Sequence, residues 1–416
     1  MNIIERMKTR SLATLLLLNL AQSSVIAALS DDASYRIIFR SAMDASSADP
    51  IFLENPQRYF ELYTMNSDGS DIRRVTRNTY YENQPDVSPD GKTIVCSIHL
   101  NARRASGTDP GWEIALIDIE TGETTLLTDN DYLDYGAHWN HDGTEIVYVS
   151  DSAQRNKVDI ENQVPLSYDI YTMKADGTDK TQLTFAEPGD VNADPSFSFN
   201  APSRILYIHS EGYSGAFDLY TMDRDGGNKA LLRGHDEQLL AINDPMFSPD
   251  DLWIVFGAKV RESAEGNPIY NIFTVDPSGG DLTRITADDG ESDVIPQYSP
   301  DGGLIAYYTY VWEGGGNTHR IRVINSDGTN EKTLSTYPWE SDPSWYTAHQ
   351  EETETTQPTD DAPPSDTGIP GFGTLSILVA ILCFLSLKQR MNRLNTANAT
   401  ARAENRLFLN YVNLYG

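Results

Sequence analysis

Three aspartates stand in one recurring context, each followed by proline and, two residues after that, by an aromatic residue. They are Asp194-Pro195-Ser196-Phe197, Asp244-Pro245-Met246-Phe247 and Asp342-Pro343-Ser344-Trp345. Carboxylates that share one position of a repeat can face a common axis and hold a hard cation such as calcium through oxygen ligands. An Asp before Pro also satisfies nearby backbone N–H groups, which needs no ligand. A second set pairs positive charge with aromatic rings in the segments between strands: Arg103, Arg104, Trp112, Arg155, Lys157, Tyr213, Arg261 and Trp312. On an acidic chain such residues could clasp an anionic glycan or an acidic peptide, or simply be solvated loop residues. His99, His138, His141, His209, His235 and His319 are scattered along the chain, and a metal-dependent lyase would need several of them to meet. Of these, His138 alone lies in a segment suited to an axial position. Gly212-Tyr213-Ser214-Gly215-Ala216 is one residue short of a nucleophile elbow and lies between two strands rather than between strand and helix.

The elements that must position these residues repeat six times. Each copy runs from a Pro-x-aromatic or Pro-x-apolar segment through a turn, an apolar run, a second strand, a turn with Gly and a Leu-Thr or Ile-Thr ending. The first Gly of the second turn falls at Gly69, Gly122, Gly177, Gly226, Gly279 and Gly328, at spacings of 53, 55, 49, 53 and 49. Repeats of this length with four short strands each mark propeller blades rather than helical solenoids. Lettered from the axis outward, strand A is the Pro-x-aromatic segment and strand B the apolar run, such as Thr93-Ile94-Val95-Cys96. Strand C is the Leu-Tyr-Thr-Met type, and strand D precedes endings such as Val75-Thr76 or Ile285-Thr286. Alternation and β-branched content fit half-buried strands, and turns such as Ser88-Pro89-Asp90-Gly91 supply the positive φ of tight hairpins.

The first strand, Tyr35–Phe39, is a B strand with no A before it, and the last, Asp342–Trp345, is an A strand with no B after it. Together they complete one blade and remove the open sheet edge. The expected fold is all-β, a closed six-bladed propeller of four-stranded blades. Gln84, Gly136, Asp194, Asp244, Ile295 and Asp342 open its A strands. B–C loops are long and dissimilar whereas A–B and C–D turns are short, so function is expected on the loop face.

The 416 residues carry 31 Lys and Arg against 61 Asp and Glu, a net charge of −30, which argues against a nucleic-acid partner. Cys96 lies in an apolar strand and Cys383 in a membrane-type segment, so they are not expected to pair. Residues 1–28 read as a signal peptide, with Arg6, Lys8 and Arg10 ahead of an apolar run ending in small residues. Residues 29–347 hold the propeller. Residues 348–369 are rich in Thr, Pro and acid and form an extended stalk. Residues 370–393 contain Pro370-Gly371-Phe372, an apolar run and the basic Lys388, Arg390 and Arg393, followed by a polar tail over 394–416.

That C-terminal order resembles the PGF-type signal of archaeal sortases, which implies cleavage near the motif and attachment to a membrane lipid. The chain here continues past the basic cluster to Gly416, so a retained single-span anchor is the other outcome. In both cases basic residues stay inside and the propeller lies outside the cell, at its surface. FSPDD, YSPDG and VSPDG, each followed by an apolar strand, together with Tyr-Thr-Met-x-x-Asp-Gly, resemble the TolB-type propeller repeat. The resemblance implies the fold, but the same repeat serves binding proteins, sugar lyases and the non-catalytic halves of peptidases. The expectation is a non-catalytic module that binds a protein or a glycan, with no cofactor; a calcium ion at Asp194, Asp244 and Asp342 is the alternative. The rivals are a polysaccharide lyase or hydrolase with a channel metal, and the propeller half of a peptidase.

Overall fold

A computed structural model of the chain describes residues 34–43, 60–78, 80–100, 111–153, 167–212, 214–287, 290–313, 316–334, 337 and 339–348. Within them 24 strands form six four-stranded antiparallel sheets. The first blade, from the axis outward, is β24 (Glu340–Ala348), β1 (Ser34–Ser41), β2 (Glu61–Asn66) and β3 (Arg73–Arg74). The second is β4 (Tyr81–Val87), β5 (Thr93–His99), β6 (Trp112–Asp118) and β7 (Thr124–Leu126), and the third β8 (Asp134–Trp139), β9 (Glu145–Ser150), β10 (Asp169–Lys174) and β11 (Thr181–Gln182). The fourth is β12 (Val191–Phe197), β13 (Arg204–Ser210), β14 (Asp218–Asp223) and β15 (Ala230–Arg233). The fifth is β16 (Ala241–Phe247), β17 (Ile254–Glu262), β18 (Pro268–Val275) and β19 (Thr283–Arg284). The sixth is β20 (Ser292–Tyr298), β21 (Leu304–Glu313), β22 (Gly316–Asn325) and β23 (Lys332–Thr333). β24 pairs with β1 from Ser34↔Ala348 to Ser41↔Glu340, so the two ends of the described chain close one blade as expected.

B strands are apolar on both faces because each lies between two neighbouring blades. Ile37, Ile38 and Phe39, and likewise Ile94, Val95 and Cys96, are fully buried. The Leu-Thr and Ile-Thr endings have a defined task. Thr76, Thr128, Thr184 and Thr286 accept hydrogen bonds at Oγ1 from the backbone N–H of Leu62, Ile114, Ile170 and Ile272, at 2.8–3.0 Å. A buried hydroxyl thus ties the outer strand back to strand C of the same blade.

The periodic glycine is required twice over. Its φ lies between 71° and 88° in all six blades, the left-handed region where a side chain is strained. A Cβ there would also press on the carbonyl oxygen ending strand D of the preceding blade. It would sit 2.5 Å from Leu334 at Gly69, 2.6 Å from Val75 at Gly122 and 2.9 Å from Leu183 at Gly226, and closest of all to Leu232 at Gly279. The spacing legible in the sequence is therefore the spacing of blade-to-blade contacts. Among the described residues no helix is long and apolar enough to cross a membrane. The signal peptide, the stalk, Pro370-Gly371-Phe372 and the apolar segment after it lie outside those residues.

Candidate functional site

Every A strand breaks its pairing at the same place. The register skips between Asn83 and Asp86, Tyr135 and His138, Ala193 and Ser196, Asn243 and Met246, Val294 and Gln297, and opposite Ile38 and Arg40 in the first blade. The residue opening each bulge is left-handed: Gln84, Gly136, Asp194, Asp244, Ile295 and Asp342 have φ of 49°, 64°, 48°, 50°, 50° and 53°. Proline follows in five of the six blades, where its missing N–H suits a position that has left the ladder. The six bulges form a ring around the channel.

The three ring aspartates span blade boundaries. Asp194 Oδ2 accepts the N–H of Asp244 at 3.1 Å, and Asp342 Oδ2 accepts that of Gln84 at 3.5 Å. Asp244 in turn accepts the N–H of Ile295. One layer further along, Asp86 Oδ2 accepts Trp139 N–H at 2.8 Å, Ser344 Oγ donates to Asp86 Oδ1 at 3.2 Å and Ser196 Oγ donates to the Pro245 carbonyl at 2.7 Å. Each bond joins one blade to the next, so the backbone role expected for Asp-Pro is filled between blades rather than locally. Burial raises the Asp194 carboxyl above its ordinary range. Burial, followed by the charges of Asp194 and Asp342, lifts Asp244 well above it. Among the described residues no group of three His, Cys, Asp or Glu is placed to hold one metal ion.

The ring divides the channel into unlike halves. Toward the loop face, Arg40 Nε lies 2.8 Å from Asp342 Oδ2 and its guanidinium sits 4.6 Å from the Phe60 ring centre. Tyr308 and Tyr310 share a hydroxyl hydrogen bond of 2.9 Å and pack with Tyr270, Val294 and Ile295. His319 is buried beside them, 4.4 Å from the Tyr310 ring and 5.3 Å from Trp339, with neither ring nitrogen hydrogen-bonded among the described residues. Burial and then Arg40 lower its pKa to about 4, so it is neutral at physiological pH. Toward the turn face the channel is open as a cavity of about 410 Å³. It runs from the ring past Asp86, His138, Ser196, Met246 and Gln297 to a mouth at Pro89, His141, Phe199, Pro249 and Pro300.

Of the residues singled out by charge and aromaticity, Trp112, Arg261 and Trp312 are among the described residues, on three different blades. Trp112 begins β6 and meets the His99 ring edge-on at 5.2 Å, on the second blade. Arg261 lies on β17 of the fifth blade, across the ring. Trp312 lies on β21 opposite Asn317. Arg103, Arg104, Arg155, Lys157 and Tyr213 fall outside the described residues. The cavity opens on the face of the short turns between strands A and B, which hold Pro89, His141, Phe199, Pro249 and Pro300. His138 does reach the axis, with Nδ1 3.5 Å from Asp86 Oδ2, and His141 packs against Phe199 at the mouth. His209 instead bonds Asn192, and His235 bonds Asp218. Sequence reasoning missed Asp86, Met246 and Arg40. The first two were legible as the residues two beyond the ring position; Arg40 carried no such signal.

No family model matches the chain. An uncharacterized protein of Agrobacterium fabrum is 33% identical over 123 residues, a match spanning 28% of this chain and 38% of that protein. Among solved structures, TolB from Acinetobacter baumannii superposes with a TM-score of 0.56 at 18% identity, over 78% of this chain and 71% of that one. A TolB-like protein of Agrobacterium tumefaciens gives 0.50 at 18%, over 76% and 98%. A chain of a nidogen/laminin complex gives 0.50 at 11%, over 76% and 99%. At these identities the likeness is one of fold, and the chain is a six-bladed β-propeller with the TolB-like architecture.

Proposed function

We propose that this protein is a non-catalytic interaction module, displayed outside the cell from a C-terminal membrane anchor, and that it binds a protein segment at the turn-face mouth of its channel. The observation that carries the reading is the preformed cavity of about 410 Å³ whose polar lining is already engaged in holding blades together. Groups fixed in this way suit recognition better than turnover, because a catalytic acid or base must exchange its proton freely. The rim of Pro89, Phe199, Pro249 and Pro300 offers apolar area to a polypeptide rather than the hydroxyl-rich edge a glycan seeks. One protein of the same fold comes from a nidogen/laminin complex, which supports a protein partner over a glycan.

A photo-crosslinking amino acid in place of His141, at the mouth, tests this in the producing cell. One recurrent protein adduct is expected, lost when Ser196→Trp fills the cavity. Absence of any adduct, together with metal-dependent release of unsaturated sugars from an anionic polysaccharide, would replace this reading with the lyase.

A further inference from the structure

The turn-face cavity is chemically lopsided. Asp194, Asp244 and Asp342 lie on its floor with Asp86 above them, while Met246, Ile295 and the prolines of the mouth supply an apolar wall. Among the described residues no lysine or arginine lines it, and His138 is the basic group nearest these acids within it. Arg40, reaching the ring from the loop side, is committed to Asp342. That leaves Asp86 and Asp194 with His138 as their one basic neighbour among the described residues, and Asp244 with none. Asp194 uses Oδ2 for the Asp244 N–H, and its Oδ1 accepts no hydrogen bond among the described residues.

We propose that the cavity takes the cationic end of an alkyl amine, foremost a lysine side chain of the bound partner, with the ammonium between Asp86 and Asp194 and the stem along Met246 and Ile295. An ammonium has three donors for carboxylate oxygens, and its methylene stem favours an apolar wall. A bare metal ion fits less well. It wants a shell of oxygen ligands, and half of this wall offers none. An anion would be repelled by the carboxylates of the floor. Burial, and after it Asp194 and Asp342, raises the pKa of Asp244, and a cation in the cavity would oppose that shift.

The inference rests on the binding-module reading but can fail separately. Calorimetric titration of the full-length chain with pentane-1,5-diamine and with Nα-acetyl-lysine N-methylamide tests it, with pentan-1-ol and calcium as comparisons. Both amines should bind and pentan-1-ol should not. Asp194→Asn keeps an oxygen for the Asp244 N–H, so it should leave the melting temperature unchanged while weakening both amines at least tenfold. Met246→Lys places a tethered ammonium in the cavity and should abolish amine binding. Tighter binding of the lysine derivative points to a protein ligand, and tighter binding of the diamine to a free amine. No heat with either amine at millimolar concentration, equal binding of pentan-1-ol, insensitivity to Asp194→Asn, or displacement of the amines by micromolar calcium would each overturn the proposal. A crosslink at His141 that survives Asp194→Asn would leave the binding module standing and remove only the cation.

Discussion

The outer rim and the inner ring of this propeller repeat in different ways. At the rim, the turn between strands C and D carries glycine in all six blades, with one backbone conformation and one contact, the carbonyl of the blade before. At the ring, the backbone conformation is equally constant, with φ between 48° and 64°, yet the residues are Gln84, Gly136, Asp194, Asp244, Ile295 and Asp342. The rim has no space for a side chain, so only one residue type fits. The ring points its side chains into a channel, where shape is forgiving and chemistry can differ from blade to blade. Scaffold and site thus share one repeat and are separated by where the Cβ has room.

Breaking the rim should cost most. Gly279→Ala puts a methyl group against the Leu232 carbonyl at a φ of 83°. It should destabilise the fold by roughly 3 kcal/mol. Gly177→Ala, where the nearest carbonyl is 3.2 Å away, should cost clearly less in the same thermal melt. Equal effects at the two sites would mean that φ alone, and not the blade contact, fixes the glycine.

Next in size is a buried acid two residues before the ring. Glu82 is fully buried, and its Oε1 accepts a hydrogen bond from Asn78 Nδ2 at 2.5 Å. Burial, and after it the charge of Glu61, raises its pKa from 4.5 to about 8. The folded state therefore binds this proton more tightly than the unfolded chain does. Its contribution to stability is complete below about pH 4.5 and is lost as pH climbs to about 8, an effect on the order of a few kcal/mol. Melting temperatures measured between pH 5 and pH 9 should fall less steeply for Glu82→Gln than for the wild-type protein.

Ring substitutions should be milder. Asp244→Ala removes the acceptor for the Ile295 N–H and should cost about 1–2 kcal/mol, whereas Asp244→Asn, which keeps an oxygen there, should cost little. If the two behave alike in a denaturant titration, the carboxylates do not tie the blades. The smallest effect belongs to the exposed pair Lys174–Asp179, at 2.6 Å on the third blade's outer turn. Lys174→Gln should leave the melting temperature unchanged within error, because solvent screens such pairs. A measurable drop would show that the rim depends on charge as well as on glycine.

Much of the scaffold was legible in the chain. Six glycines at near-equal spacing, a B strand with no A before it and an A strand with no B after it gave the blade count and the closure, because each depends on residues a few positions apart. The ring was legible too, down to Asp194, Asp244 and Asp342, since Asp-Pro-x-aromatic marks the same place in three of the six A strands. Its chemistry was less so. Nothing local in Asp194 says that its oxygen meets an N–H fifty residues on, or that Arg40, from the other end of the chain, answers Asp342. Trp112 and Arg261 look alike on a list of basic and aromatic loop residues, yet the ring sets them on the second and fifth blades.

The sequence by itself determined the repeat, the strand order and the positions that must be glycine, because hydrogen-bonded turns and alternating burial are short-range and recur. Which face is open was decided only by the tertiary structure. Tyr308, Tyr310 and the Arg40–Asp342 pair fill the loop side of the ring, and the turn side keeps a cavity with acids on its floor and Met246 on its wall. Closing a ring brings six distant side chains into one space, and whether they fill it depends on all six together.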